Sequence, residues 1–299
     1  MADGRIAIDE TLVRRLVAAQ FPQWAGLGVR RVAADGWDNS TFHLGEAMKV
    51  RLPNAAHYAS QAEKEFIWLP RLAPHLPVQV PAPIAIGEPG EGYPLRWSVY
   101  RWIEGETALA APIPDRAGFA RDAGKFLRAL QAIDITGAPL AGQHSFHRGG
   151  DLSVYDAETR QCLAALEGKL DTGAAADVWD AALGARWTAP PVWVHGDFAP
   201  GNLLIEGGRL SGVIDFGCSA VGDPACDLVL AWTFLDGDSR RAFIETVDAD
   251  PGAWARARGW AIWKALLMRM KYSDLGKIAA EQRVIDAVLE DHRLSRGIP

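Results

Sequence analysis

The chain has 299 residues, 49% of them hydrophobic and 23% charged, which excludes disordered, collagen-like and coiled-coil chains and gives the length of about two domains. Its formal charge is −6, with 37 Asp plus Glu against 31 Lys plus Arg; that balance speaks against nucleic acid as a partner and suits a cationic small molecule better. No apolar run reaches the ~18–20 residues of a membrane helix, so no membrane partner is expected, and three scattered cysteines, Cys162, Cys218 and Cys226, make a reducing cytoplasm the expected compartment.

Residues 5–20 read as a helix, because Ile6, Ile8, Leu12, Val13, Leu16 and Val17 recur at roughly helical spacing and Asp9 can cap them. Residues 1–10 hold neither an apolar run nor a small-residue cleavage site, so no leader peptide is expected. Short strands follow at 29–33, 40–44 and 48–52, punctuated by Gly36 and Gly45-Glu46. A helix over 62–72 places Phe66, Leu69 and Leu72 on one face. Six of the 18 prolines fall between residues 74 and 94, which predicts loop, edge strand and turn there. Residues 88–94 read as a hairpin-type connection, and 95–103 as an aromatic-rich strand.

After Gly105 the character changes. Helical periodicity dominates 116–132, 151–170, 174–184, 239–247 and 253–292. One β island, 192–216, interrupts it, with Glu206-Gly207-Gly208-Arg209 as a hairpin turn. A β-rich first third and a helix-rich remainder predict an α+β protein of two lobes, 1–101 and 102–299.

The island carries the chemistry. It contains Val194-His195-Gly196-Asp197-Phe198-Ala199-Pro200-Gly201-Asn202, and then Ile214-Asp215-Phe216-Gly217. Phosphoryl transfer needs a carboxylate to orient and deprotonate the attacking hydroxyl, and oxygen ligands for Mg²⁺. A loop with Asp197 at its tip can turn back through Pro200-Gly201 and aim Asn202 at the same volume. A hairpin then returns Asp215 beside them.

The pattern His-Gly-Asp-x4-Asn followed by Ile-Asp-Phe-Gly resembles the aminoglycoside phosphotransferase family, small-molecule relatives of the protein kinases. The resemblance spans most of the chain and implies a protein-kinase-like fold with a small N-terminal nucleotide lobe and a larger acceptor-binding lobe. It implies Asp197 as catalytic base, Asn202 and Asp215 as Mg²⁺ ligands, and ATP or GTP as phosphoryl donor. His195 becomes a structural residue of the loop. Gly222-Asp223-Pro224-Ala225-Cys226-Asp227 also resembles a family segment, in which Asp227 braces the catalytic loop.

By the same resemblance, residues 34–41 form the loop over the nucleotide phosphates, with Asn39 and Ser40 as donors. The phosphate clasp falls on Arg51 or Lys49, which share one face of a strand. Either cation is chemically able, and register with relatives favours Arg51. Its ion-pair partner is Glu65 rather than Glu63. Backbone groups around Arg101 and Ile103 correspond to the adenine-binding hinge.

The implied acceptor is a small molecule bearing a hydroxyl, foremost an aminoglycoside-type antibiotic. Acids that could receive its ammonium groups are Asp151, Asp156, Glu158, Asp236, Asp238, Glu290 and Asp291. A macrolide, sugar or metabolite acceptor is the alternative, and a catalytically silent nucleotide-binding module is a third. Asn202 tilts against macrolides, whose kinases commonly carry His there. Gly196 tilts against choline, whose kinases tend to carry Asn before the catalytic Asp.

Overall fold

The computed structural model describes residues 6–32 and 38–297. They form two compact units: Met1–Gly105 with Ser211–Gly217, and Glu106–Leu210 with Cys218–Pro299.

In the first unit the helix α1 (Glu10–Gln20) begins later than the periodicity suggests. The Asp9 carboxylate accepts from the Leu12 N–H at 2.8 Å and fixes the first turn. Ile6 and Ile8 therefore precede the helix as irregular chain, although Ile8 is still buried. Three strands follow: β1 (Val29–Arg31), β2 (Asn39–Leu44) and β3 (Met48–Pro53). Then come helix α2 (Ser60–Leu72) and strands β4 (Pro83–Gly87) and β5 (Trp97–Arg101). The strands make one antiparallel sheet in the order β1-β2-β3-β5-β4. Strand β4, which opens on Pro83, sits at its edge, where a missing N–H is tolerated. Val13, Leu16 and Val17 of α1 close over Phe42, Leu44, Val50, Trp97 and Val99. Each such side chain contributes ~1.5–3 kcal/mol by leaving water.

Helix α2 departs from the expected face. Phe66 is 39% exposed, and the buried stripe is Gln61, Ala62, Glu65, Leu69 and Leu72. The helix turns a carboxylate inward instead of the phenyl ring, because Glu65 has a cation to meet there.

The second unit opens with β6 (Glu106–Thr107) and continues through helices α3 (Arg116–Gln131), α4 (Asp156–Ala165) and α5 (Thr172–Gly184). The island supplies β7 (Val192–Val194), β8 (Leu203–Glu206), β9 (Arg209–Val213) and β10 (Ala220–Gly222). Gly207 and Gly208 both have positive φ, at the turn expected between β8 and β9. Strand β9 leaves the second unit after Leu210, and the chain stays with the first as far as Gly217. Strand β10, unforeseen, pairs antiparallel with β7. Among the described residues four helices follow: α6 (Leu230–Thr233), α7 (Gly237–Val247), α8 (Pro251–Lys271) and α9 (Leu275–Ser295). The expected helical stretch 253–292 is two helices, because Asp274 caps a new start by accepting from Lys277 N–H at 2.9 Å. Packing of α3 on α7, and of α8 on both α5 and α9, forms the helical core. Among the described residues no helix is long and apolar enough to cross a membrane.

One buried ion pair anchors the segment after β10. Arg256 of α8 donates through Nε and Nη2 to the two Asp223 oxygens, at 2.6 and 3.0 Å. Both side chains are buried. Replacing Arg256 with Met leaves the Asp223 carboxylate buried without its cation, and is expected to cost about 3–5 kcal/mol in chemical denaturation of the full chain. A loss under about 1 kcal/mol would show that the pair holds nothing in place.

Candidate active site

The motif residues fall into two groups, one in each unit. In the second unit the loop after β7 carries Asp197, and its backbone is held from behind. The Asp227 carboxylate accepts from His195 N–H at 2.6 Å and from Gly196 N–H at 2.8 Å. Burial pushes the Asp227 carboxyl up from its ordinary pKa, while the hydrogen bonds from the His195 and Gly196 N–H groups pull it back. His195 is fully buried, and its Nδ1 accepts from the Asp197 N–H at 3.2 Å. Gly196 has φ +81, and a Cβ there would lie 2.4 Å from the Cys218 carbonyl oxygen. Only glycine fits. The loop is thus fixed by a buried carboxylate, a buried imidazole and a missing side chain.

The turn through Pro200 brings Asn202 back to Asp197. Its Nδ2 donates to the Asp197 carbonyl at 2.9 Å and to Asp197 Oδ2 at 3.0 Å. Donation to a carboxylate fixes which end of the amide is nitrogen, so Asn202 Oδ1 remains as an acceptor. A cavity of about 600 Å³ opens elsewhere in this unit, past Asp151, Trp187 and Arg256. Neither Asp197 nor Asn202 lines it.

In the first unit Arg51 of β3 stands at the centre. Its Nη1 donates to Glu65 of α2, 3.2 Å from Oε2, and its Nη2 donates to Asp215 Oδ1 at 2.8 Å. Glu65 is 2% exposed and also accepts from the Tyr100 hydroxyl. Glu63 points elsewhere and pairs with Arg96. Asp215 sits in the left-handed region at φ +67, a conformation that costs on the order of 1 kcal/mol. Lys49, two residues before Arg51, is buried with its ammonium 5.8 Å from the centre of the Tyr100 ring. Burial lowers its pKa to about 8; Arg51 adds to the drop, and Glu65 and Asp215 oppose it. Arg51 goes the other way, because Asp215 and Glu65 outweigh its desolvation.

The rest of the expected nucleotide side is mixed. Residues 34–37 lie outside the described residues. Ser40 belongs to β2, where its hydroxyl donates to Asn54 Oδ1 at 2.8 Å and accepts from Arg31 at 3.0 Å. It is spent inside the sheet, not offered by a loop. Asn39 is buried at the start of the same strand, opposite Pro53. The Arg101 N–H donates to the Ala82 carbonyl. The Ile103 N–H finds no protein acceptor among the described residues, so of the two hinge residues it is the one with an N–H to offer.

Most of the expected acceptor-binding acids have structural work. Asp151 caps the turn at Ser153, and Asp156 accepts from Trp179 and Arg160. Glu158 accepts from Trp263, Asp238 pairs with Arg241, and Asp291 pairs with Arg258. Asp236 caps α7. Tyr100 was not foreseen, although β-strand alternation puts it on the face of Ser98, and it lies directly opposite Lys49.

Hard oxygen donors suit Mg²⁺, which takes few protein ligands and fills the rest with water and phosphate. The Asn202 carbonyl oxygen and the Asp215 carboxylate are of that kind. Among the described residues no three His, Cys, Asp or Glu side chains gather into a protein-only metal cluster.

Comparison with known proteins places the chain. An aminoglycoside 3'-phosphotransferase of Escherichia coli is 28% identical over 194 residues, 60% of this chain and 65% of that protein. The match therefore spans just under two thirds of that curated relative. Among solved structures, the GDP complex of wild-type aminoglycoside 2'-phosphotransferase-IIIa superposes with a TM-score of 0.68 at 18% identity, covering 95% of this chain and 100% of that one. The macrolide 2'-phosphotransferase MphH of Brachybacterium faecium gives 0.59 at 22% identity, covering 91% and 97%. These structures share the α+β kinase-like fold. The profile of the phosphotransferase enzyme family matches residues 29–260, and the chain belongs to that family.

Proposed function

We propose that this chain is an ATP- and Mg²⁺-dependent phosphotransferase that phosphorylates a hydroxyl of a small molecule in the cytoplasm. The observation that carries the reading is the pinned Asp197, with Asn202 locked to its carboxylate at 3.0 Å on a loop whose backbone is held by buried Asp227. In the reaction the acceptor oxygen attacks the γ-phosphorus. Its new bond forms as the bond to the β,γ-bridging oxygen breaks, ADP leaves, and the hydroxyl proton passes to Asp197. Asn202 and Asp215 would be the residues that hold Mg²⁺, which would supply charge neutralisation at the phosphate oxygens. Arg51 holds the nucleotide phosphates, and Glu65 and Tyr100 brace it from behind. Ile103 offers its N–H to the base. The three cysteines stand as thiols, as suits a reducing compartment.

An aminoglycoside-type antibiotic is the acceptor class that the relatives point to. One relative is a 3'-phosphotransferase of aminoglycosides, and a neighbouring structure, TM-score 0.70 at 18% identity, holds GDP and kanamycin. A second reading, a sugar or metabolite acceptor, is favoured by the engagement of the candidate acids in caps and ion pairs.

Asp197→Asn should lower kcat by about 10²–10⁴-fold while the KM for ATP stays within about two-fold, measured by coupled ADP release. An undiminished kcat would remove Asp197 from the chemistry. The two candidate clasps separate by pH. Lys49 loses its proton near a pKa of about 8, whereas Arg51 stays charged. The KM for ATP should therefore be flat from about pH 7 to pH 9.5, and a rise approaching ten-fold per unit above about pH 8 would give the role to Lys49.

A further inference from the structure

A cluster of aromatic rings and cations stands in the second unit, within electrostatic reach of Asp197. Arg148 follows Phe146 and His147, both in the left-handed region at φ +48 and +54. Its guanidinium lies over two indoles, 5.1 Å from the Trp260 ring centre and 4.7 Å from that of Trp263. Tyr155 stacks on Trp263 at 4.0 Å, and Trp263 Nε1 donates to Glu158 at 2.7 Å. The Trp263 ring is therefore clamped. Among the described residues the Arg148 guanidinium makes no hydrogen bond and no ion pair.

Lys264 comes next in the chain, with its ammonium 5.9 Å from the Trp263 ring centre and no ion pair of its own among the described residues. The side chain is reached by solvent, yet surrounding protein lowers its pKa. Arg148 and Lys271 add to that lowering, and Asp197 and Glu281 oppose it. Burial in turn raises Glu281, and Lys264 pulls it back. Three cations thus face two acids, and Asp197 is already assigned to the reacting hydroxyl. A polycationic acceptor would meet like charge here. An anion would meet two cations that the protein itself leaves unpaired, each able to give a charge-assisted hydrogen bond.

We propose that the acceptor carries an anionic oxygen group, a carboxylate or a phosphate, held by Arg148 and Lys264, whose charges both lie near the Trp263 ring. This assignment rests on the phosphotransferase reading and narrows its acceptor class. The indole, held by Tyr155 and Glu158, keeps the Arg148 guanidinium in place, and the two cations orient the anionic group. Trp260 and Trp263, both under the Arg148 guanidinium, report on the cluster, since an anion drawing on Arg148 changes their fluorescence.

The test is a tryptophan-fluorescence titration of the full chain with D-gluconate, D-glucose 6-phosphate, D-glucose, D-glucosamine and kanamycin, repeated as acceptors in the ADP-release assay. The anionic members should saturate the signal at concentrations about ten-fold or more below glucose, the worth of one charge-assisted hydrogen bond. Gluconate against glucose 6-phosphate tells carboxylate from phosphate. Lys264→Gln, on an exposed side chain, should erase that preference without moving the glucose curve. Arg148→Gln should do the same, with its thermal melt checked because the residue also packs the indoles. Equal affinity for anions and glucose, no saturation by either anion, or tighter binding of kanamycin overturns the proposal. Failure of the phosphotransferase reading looks different: the anion preference persists in fluorescence, while no acceptor releases ADP in an Asp197-dependent way.

Discussion

The guanidinium of Arg51 is the point from which the first unit is organised. It joins β3 to α2 through Glu65 and to the segment after β9 through Asp215. A buried guanidinium with one partner removed leaves a charge that costs several kcal/mol. Here the charges close on themselves: Lys49 and Arg51 balance Glu65 and Asp215, and the Tyr100 hydroxyl fills a further acceptor site on Glu65. That neutrality explains how a strand can bury two cations on one face. It also explains why helix α2 turns a carboxylate inward where an apolar residue would be the ordinary choice. The weak member is Lys49, which has no direct acid partner among the described residues and is correspondingly easy to deprotonate.

The second unit solves a different problem by the same means. A loop tip that presents a carboxylate cannot be stiffened from the front without blocking access to it. Asp227 stiffens it from behind, through two N–H groups, and the Arg256–Asp223 pair fixes the start of the segment that bears Asp227. Gly196 lets the backbone pass close to Cys218. Four residues without chemistry of their own thereby set where Asp197 points.

Much of this was legible in the sequence, for local reasons. The stretch from His195 to Asn202 encodes its turn within itself, so spacing alone announces that Asp197 and Asn202 will meet. Strand alternation placed Lys49 and Arg51 on one face. What stayed hidden depends on distant partners. The resemblance implied Glu65 as the cation's partner, but the periodicity of apolar residues in α2 does not show that this carboxylate, and not Phe66, sets the inward face. Ser40 looked like a phosphate donor until Asn54 and Arg31 claimed its hydroxyl. The acids of the helical region looked available because a count of carboxylates does not show which are caps. The cluster of Arg148, Tyr155 and Trp263 draws on three separate segments, each unremarkable by itself.

The division of the chain has a temporal side. The first unit is not continuous: Ser211–Gly217 completes it, and Asp215 lies in that piece. A ribosome emits the amino-terminal sheet first, then all of residues 106–210, before the second carboxylate for Arg51 emerges. During that interval the nascent sheet holds two cations against a single acid, Glu65. The early sheet is therefore electrostatically incomplete by construction, and its final locking waits on translation of the hairpin.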